Sequence, residues 1–302
     1  MKKIIFCLFS LCLVCLQTVS QETVKVGGLN YILDSSDNTA IVGRNCEAKG
    51  AITIPASITY KGQVYDVVEI GKLAFAYPKD GHKKRPLNEN LTSITLSEGL
   101  KTIGESAFAS CKSILTIKIP NSVKTIEDDA FVSSGLMSVT FGTGLKKIGS
   151  YAFCKTSIKK VIIPNSVTSL GDHAFAVCNK LETVTIGNGI KTIPDYCFIE
   201  SKSLESVKVG EKVKTIGAYS FSECESLVDV QLPESLESIG NAAFRKCNSL
   251  VTLTIPANVK SLADLMISNC ENFETLILKS RSIPYRDGIV YNCPEFKGVK
   301  YQ

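Results

Sequence analysis

Apolar residues recur along this chain with one dominant long period. Phe75, Phe108, Phe131, Phe153, Phe175, Phe198, Phe221 and Phe244 follow one another at intervals of 33, 23, 22, 22, 23, 23 and 23 residues, and Ile267 takes the same place in a ninth unit. Each unit reads L-x-x-I-x-L, a tight turn, then V-x-x-I-G-x-x-A-F-x-x-C. The fullest copy is Ile114, Ile117, Ile119, Pro120-Asn121-Ser122, Val123, Ile126, Ala130 and Phe131. The alternation Ile117-x-Ile119 puts two side chains on one face of a short strand, and the β-branched bias suits a pleated ladder better than a helix. Pro, Asn, Gly and Ser occupy the reversals, where the chain needs fixed or positive φ. A constant period of this length marks a repeat architecture, in which one unit cannot bury its own apolar face and its neighbours complete the core. The pattern predicts a β-rich solenoid of about nine stacked coils of 22–23 residues.

Stacked coils leave strand edges open at both ends, so caps are expected. Residues 21–63 are predicted as an N-terminal β cap, with an apolar run Leu29 to Leu33, a polar turn Asp34 to Asn38, and strands near Thr39 to Val42 and Ala51 to Ile54. Residues 64–279 form the predicted solenoid, and 280–302, with Pro284, Gly288 and Pro294, a short C-terminal cap. The 33-residue interval holds an insertion at 78–88, expected as a surface loop. Residues 1–20 read as a signal peptide: Lys2 and Lys3, an apolar stretch Ile4 to Leu16, and small residues before Gln21. Cys12 follows Leu11 and Cys15 follows Val14, which argues against lipid anchoring. No later apolar run approaches the roughly 18 residues needed to span a bilayer. The expected location is exported: cell surface, secreted or periplasmic.

The combination I-G-x-x-A-F-x-x-C with L-x-x-I-x-L-P resembles the BspA-like, or Treponema pallidum-type, leucine-rich-repeat family over about residues 64 to 279. The resemblance implies a leucine-rich-repeat solenoid on an exported protein, often of a host-associated bacterium, with some members acting as adhesins for host matrix proteins or other cells. It brings no common catalytic residues.

Charge and reactive residues narrow the picture. The formal charge of +5 falls to +3 without Lys2 and Lys3, too weak a balance to indicate nucleic acid. Lys79, Lys83, Lys84 and Arg85, less Asp80, concentrate positive charge in the insertion, where it would attract a sulfated or acidic glycan or an acidic protein. Of twelve cysteines nine follow residue 20, and Cys111, Cys178, Cys224, Cys247 and Cys270 stand three residues after the repeat Phe or its equivalent. Coils about 4.8 Å apart leave a Cys224–Cys247 bridge open by distance. Parallel stacking suits the torsion poorly, however, and Ser134 and Ser201 in the same place favour buried free thiols. These nine contain no C-x-x-C pair, so neither metal nor cofactor is expected. His82 and His173, the second beside Asp172, lack a recognisable third catalytic group, and Asp128-Asp129 would point apart. Gly142-Thr143-Gly144 and Gly187-Asn188-Gly189 occupy the turn position of other coils and lack the rest of a phosphate loop. No enzymatic activity is expected.

Two surfaces remain. Tyr151, His173, Tyr196 and Tyr219 each fall two residues before the repeat Phe, setting four rings at one azimuth in consecutive coils. Tyr is a frequent hot-spot residue, and a half-buried structural ladder is the other reading. The strand positions between core residues, such as Thr116 and Lys118, Thr183 and Thr185, and Thr252 and Thr254, make a hydroxyl-rich face, either a flat binding surface or a solvated sheet. The chain has no Trp, which weakens sugar stacking. The function expected is a non-enzymatic exported interaction or adhesion scaffold for a host matrix or bacterial surface protein. An exported glycan-binding component is the alternative, with a hydrolase third.

Overall fold

The computed structural model describes residues 21–78 and 86–302. The predicted signal peptide and the loop residues Lys79, Lys83, Lys84 and Arg85 lie outside the described residues. The described residues form 26 strands and no helix.

Each coil has three sides. One carries a strand of three or four residues, such as Thr183–Ile186, whose neighbours stack in parallel register: Thr183 opposite Ser206, Val184 opposite Val207. The second carries a two-residue strand after the tight turn, such as Thr125–Ile126, flanked by Thr102–Ile103 and Lys147–Ile148. The third runs through the repeat Phe and is held by hydrogen bonds of another kind. Asp129, Phe131 and Ser133 donate their N–H groups to Ser150, Ala152 and Cys154 of the next coil at 2.8–2.9 Å, while Ala130, Val132 and Ser134 donate back three residues within the coil. This alternation satisfies the buried backbone without a strand. It requires left-handed residues on both sides of the Phe, here Asp129 at φ 57° and Ser133 at φ 56°.

Apolar side chains from all three sides meet in one continuous core. The Phe rings from Phe75 to Phe244 are fully buried and stack face to face, with centroids 5.1–5.7 Å apart and planes within 9°. Phe141 meets Phe153 edge-on at 5.5 Å. Close stacking also explains the glycine after the second strand: a Cβ on Gly171 would lie 2.3 Å from the Ser150 nitrogen.

The solenoid makes about eleven turns, more than the nine counted from the repeat Phe. The additional turns have coil geometry without that residue. At the start, Thr39–Val42 runs parallel to Gln63–Ile70 and Gly50–Ile54 parallel to Leu91–Leu96. At the end, Val290–Tyr291 stacks on Ile267–Ser268 and Gly298–Tyr301 on Thr275–Leu278, so residues 280–302 continue both ladders. The N-terminal edge is covered differently. Glu22–Val26, Leu29–Asp34 and Thr39–Val42 pair antiparallel, and Ser57–Tyr60 pairs antiparallel with Gln63–Ile70. Their sheet runs directly into the two-residue ladder.

Candidate functional site

The third side of the coils presents the ring stripe. Tyr151, His173, Tyr196 and Tyr219 stack in order, with centroids 4.4, 4.7 and 5.1 Å apart and planes within 11°. Each ring face is covered by its neighbour except at the two ends, so the stripe offers ring edges. Tyr151 is 40% exposed, and the other three are half-buried. Their backbones are left-handed, with φ between 53° and 58°. Such φ costs an ordinary L-residue about 1–2 kcal/mol, and a ring does nothing to lower that cost. Other coils fill the same position with Ser106, Asp129 or Ala242, and with Leu73 and Leu265 toward the ends. The fold therefore accepts a small residue here, and the four rings are an addition to it.

His173 sits between two Tyr rings, and its Nδ1 is buried without a hydrogen-bond partner among the described residues. Burial pushes its pKa below the usual histidine value, against the opposing pull of Asp172 and Asp195. A neutral imidazole held flat between phenol rings is a packing element with one unused polar atom. Asp195 is occupied structurally, since its carboxylate accepts the Ala218 N–H at 2.7 Å, and Asp128 does the same for Ser150 at 2.8 Å. No group of three or more His, Cys, Asp or Glu residues among those described is arranged to hold a metal.

The hydroxyl-rich strand face is less uniform than its sequence. Thr116, Lys118, Ser138 and Thr140 are exposed, while Thr183 and Thr185 are half-buried and Thr275 is buried. Ile162, at 56% exposure, interrupts it with an apolar side chain.

None of the nine described cysteines forms a disulfide. The ladder has a role that size alone does not explain. Cys178, Cys224, Cys247 and Cys270 direct their thiols at the carbonyl oxygens of Phe153, Phe198, Phe221 and Phe244 in the preceding coil at 3.1–3.3 Å. Ser201 makes the same bond to Phe175 at 3.1 Å, so Ser replaces Cys as a donor. Burial raises Cys178 to about 11 and Cys154 to about 12, which keeps both protonated and unreactive. Cys293 differs: it is half-buried at the last coil, and the adjacent Cys270 thiol lowers its pKa from the usual thiol value.

The structure also aligns residues that the sequence reading passed over. Lys101, Lys124, Lys146, Lys191, Lys214 and Lys260 all follow the apolar residue that closes the tight turn, and all are exposed. Lys124 donates its N–H to the Lys101 carbonyl and Lys146 to the Lys124 carbonyl, both at 2.8 Å, and Lys214 bonds Lys191 in the same way. The available signal was the repeated V/L/I-K pair at the period of the Phe.

Comparison with known proteins agrees with this geometry. The chain matches the family described as BspA type leucine rich repeat region, in six copies, over residues 87–205 and 191–302. No curated protein matches it. Among solved structures it is similar to a leucine-rich repeat protein from Bacteroides ovatus, at 26% identity and a TM-score of 0.69, covering 92% of this chain and 76% of that one. It also resembles the T. pallidum leucine rich repeat protein, at 24% identity and a TM-score of 0.54, over 76% of this chain and 91% of that one. The pneumococcal vaccine antigen PcpA shares the fold at 20% identity and a TM-score of 0.50, over 93% and 88% of the two chains. With the family match spanning well over half of its length, and the stacked coils to accompany it, this chain belongs to the BspA-type leucine-rich-repeat family.

Proposed function

We propose that the chain is an exported, non-enzymatic scaffold that binds a host matrix or bacterial surface protein along its ring stripe. The family and fold are typical of protein-interaction modules, which supports the scaffold in general terms. The observation that carries the finer reading is the set of four rings on backbone positions that non-aromatic residues fill elsewhere in the same ladder. Stacking is worth about 0.5–1.5 kcal/mol per pair, while the left-handed cost of about 1–2 kcal/mol falls equally on any L-residue at this position. The rings therefore add only a modest stability that other coils do without, and in this proposal their larger gain lies at the surface they build. Tyr edges combine rigid apolar area with a hydroxyl, the mixture favoured at the centre of protein interfaces. With the ring faces covered, a sugar cannot stack along the stripe, so a protein partner suits it better than a neutral glycan.

Export rests on the sequence of residues 1–20 and on the family. It agrees with the finding that no helix among the described residues is long and apolar enough to cross a membrane. The basic insertion at Lys79, Lys83, Lys84 and Arg85 supplies a second contact region in this proposal, attracting acidic partners. The test is surface plasmon resonance of the chain over immobilised extracellular-matrix proteins and purified bacterial surface proteins. Saturable retention by at least one of them is expected, and uniform failure to bind contradicts the scaffold reading.

A further inference from the structure

We propose that the lysine ladder on the edge of the two-residue strands is a separate site that binds a linear sulfated polysaccharide lying along the solenoid axis. Lys101, Lys124 and Lys146 form three unbroken rungs joined by direct backbone hydrogen bonds, at the coil spacing of about 4.8 Å. Thr168 stands in the fourth rung, and Lys191 and Lys214 follow. Beside them runs a row of half-buried or exposed hydroxyls: Thr102, Thr125, Ser169, Thr192 and Thr215, with Lys147 in the middle.

The charges are unneutralised where neutralisation was within easy reach of the fold. Lys101, Lys124, Lys146 and Lys191 form no ion pair among the described residues, although many lysines elsewhere on the surface do. One rung shows what pairing looks like at this azimuth. Glu237 takes the ladder position between Lys214 and Lys260, binds both at 2.7 and 2.8 Å, and is held at about 2 by their two ammonium groups. Lys147, in the next row, pairs with Glu127 at 3.4 Å. The free cations are thus confined to the part of the ladder without an acidic rung.

Regular, single-file cations call for a ligand with regular anions along one line. A nucleic acid strand also wants aromatic faces on which its bases stack. The rings of the surface stripe cover one another and lie on another side of the coil, so that requirement is unmet. A planar anionic membrane would gain from apolar side chains beside the charges, and none of the large exposed apolar residues falls in these two rows. A sulfated polysaccharide needs only cations for its sulfates and hydroxyls for its ring oxygens, which is what the two rows supply. The ladder is independent of the ring stripe, so either proposal can fail alone.

The experiment measures binding of the full chain to immobilised heparin across a salt series. The variant carrying Lys101→Glu, Lys124→Glu and Lys146→Glu should lose affinity by about tenfold or more, and the slope of log K against log salt should fall by about 2, at roughly 0.7 per charge for a single-stranded polyanion. Two further variants should bind more tightly, a result that misfolding cannot produce. Thr168→Lys joins the two blocks of the ladder, and Glu237→Gln releases Lys214 and Lys260. Unchanged affinity in a folded triple variant overturns the proposal. So does failure of both added-charge variants to tighten binding, or stronger binding to single-stranded DNA or anionic vesicles than to heparin at equal salt.

Discussion

Two aromatic ladders run side by side through this molecule, two residues apart in the four coils they share, and they obey opposite rules. The Phe ladder is fully buried and spans the eight coils from Phe75 to Phe244. The ladder of Tyr151, His173, Tyr196 and Tyr219 stacks just as closely, but it lies at the surface, covers only four coils and sits on left-handed backbone. One is imposed by the fold, because each coil needs a large apolar group at its centre. The other is permitted by the fold, because neighbouring coils do without it.

Truncating one member of each ladder should separate them most clearly. Phe175→Ala removes a fully buried ring that touches rings on both sides, and the expected loss is about 3–5 kcal/mol in denaturant unfolding. Because coils depend on their nearest neighbours, the transition should also broaden or split. Tyr196→Ala removes two stacked contacts at the surface, at about 0.5–1.5 kcal/mol each. Tyr196→Gly sharpens the contrast by relieving the left-handed backbone, and it should be more stable than the Ala variant by about 0.5–1 kcal/mol. The reverse order would mean that φ at this position carries no strain.

A smaller effect concerns His173. Its pKa is lowered in the folded state, so between that value and the unfolded value the unfolded chain binds more protons. Stability from this group is present above the unfolded pKa and is lost as pH falls through the window below it. Melting temperature should therefore drop from about pH 7.5 to about pH 5.5 more steeply in the parent than in His173→Phe, judged against the usual histidine pKa of about 6.5. Equal slopes would show that the sandwich does not hold the imidazole neutral.

The period in the sequence made the core legible, down to Ile267 as the ninth member and the short strand around Ile117. A residue that must be apolar once per coil leaves a trace that no other pattern imitates. The left-handed positions left none, because Tyr151, Val177 and Glu200 adopt them in place of the Gly or Asn that would announce such φ. Their conformation is set by hydrogen bonds to the next coil, a tertiary cause that local sequence does not display. The coil at 280–302 was hidden because Val290 replaces the Phe, although Cys270 to Cys293 and the stacked pair Phe273 and Phe296 both keep the 23-residue interval. Of the candidate site, the ring stripe was visible from spacing. The lysine ladder was not, since one Lys per coil is lost among 34 basic residues until the coils are aligned.

The separation of a fold-imposed ladder from a partner-facing one is tested most directly by the double variant Tyr196→Ala, Tyr219→Ala against whichever surface or matrix protein the parent retains, with melting followed on the same samples. Loss of two hot-spot rings at about 2 kcal/mol or more predicts a fall in affinity of about 30-fold or more, with the cooperative melt of the solenoid preserved. Full affinity in a folded double variant would contradict it and return the rings to a purely structural role.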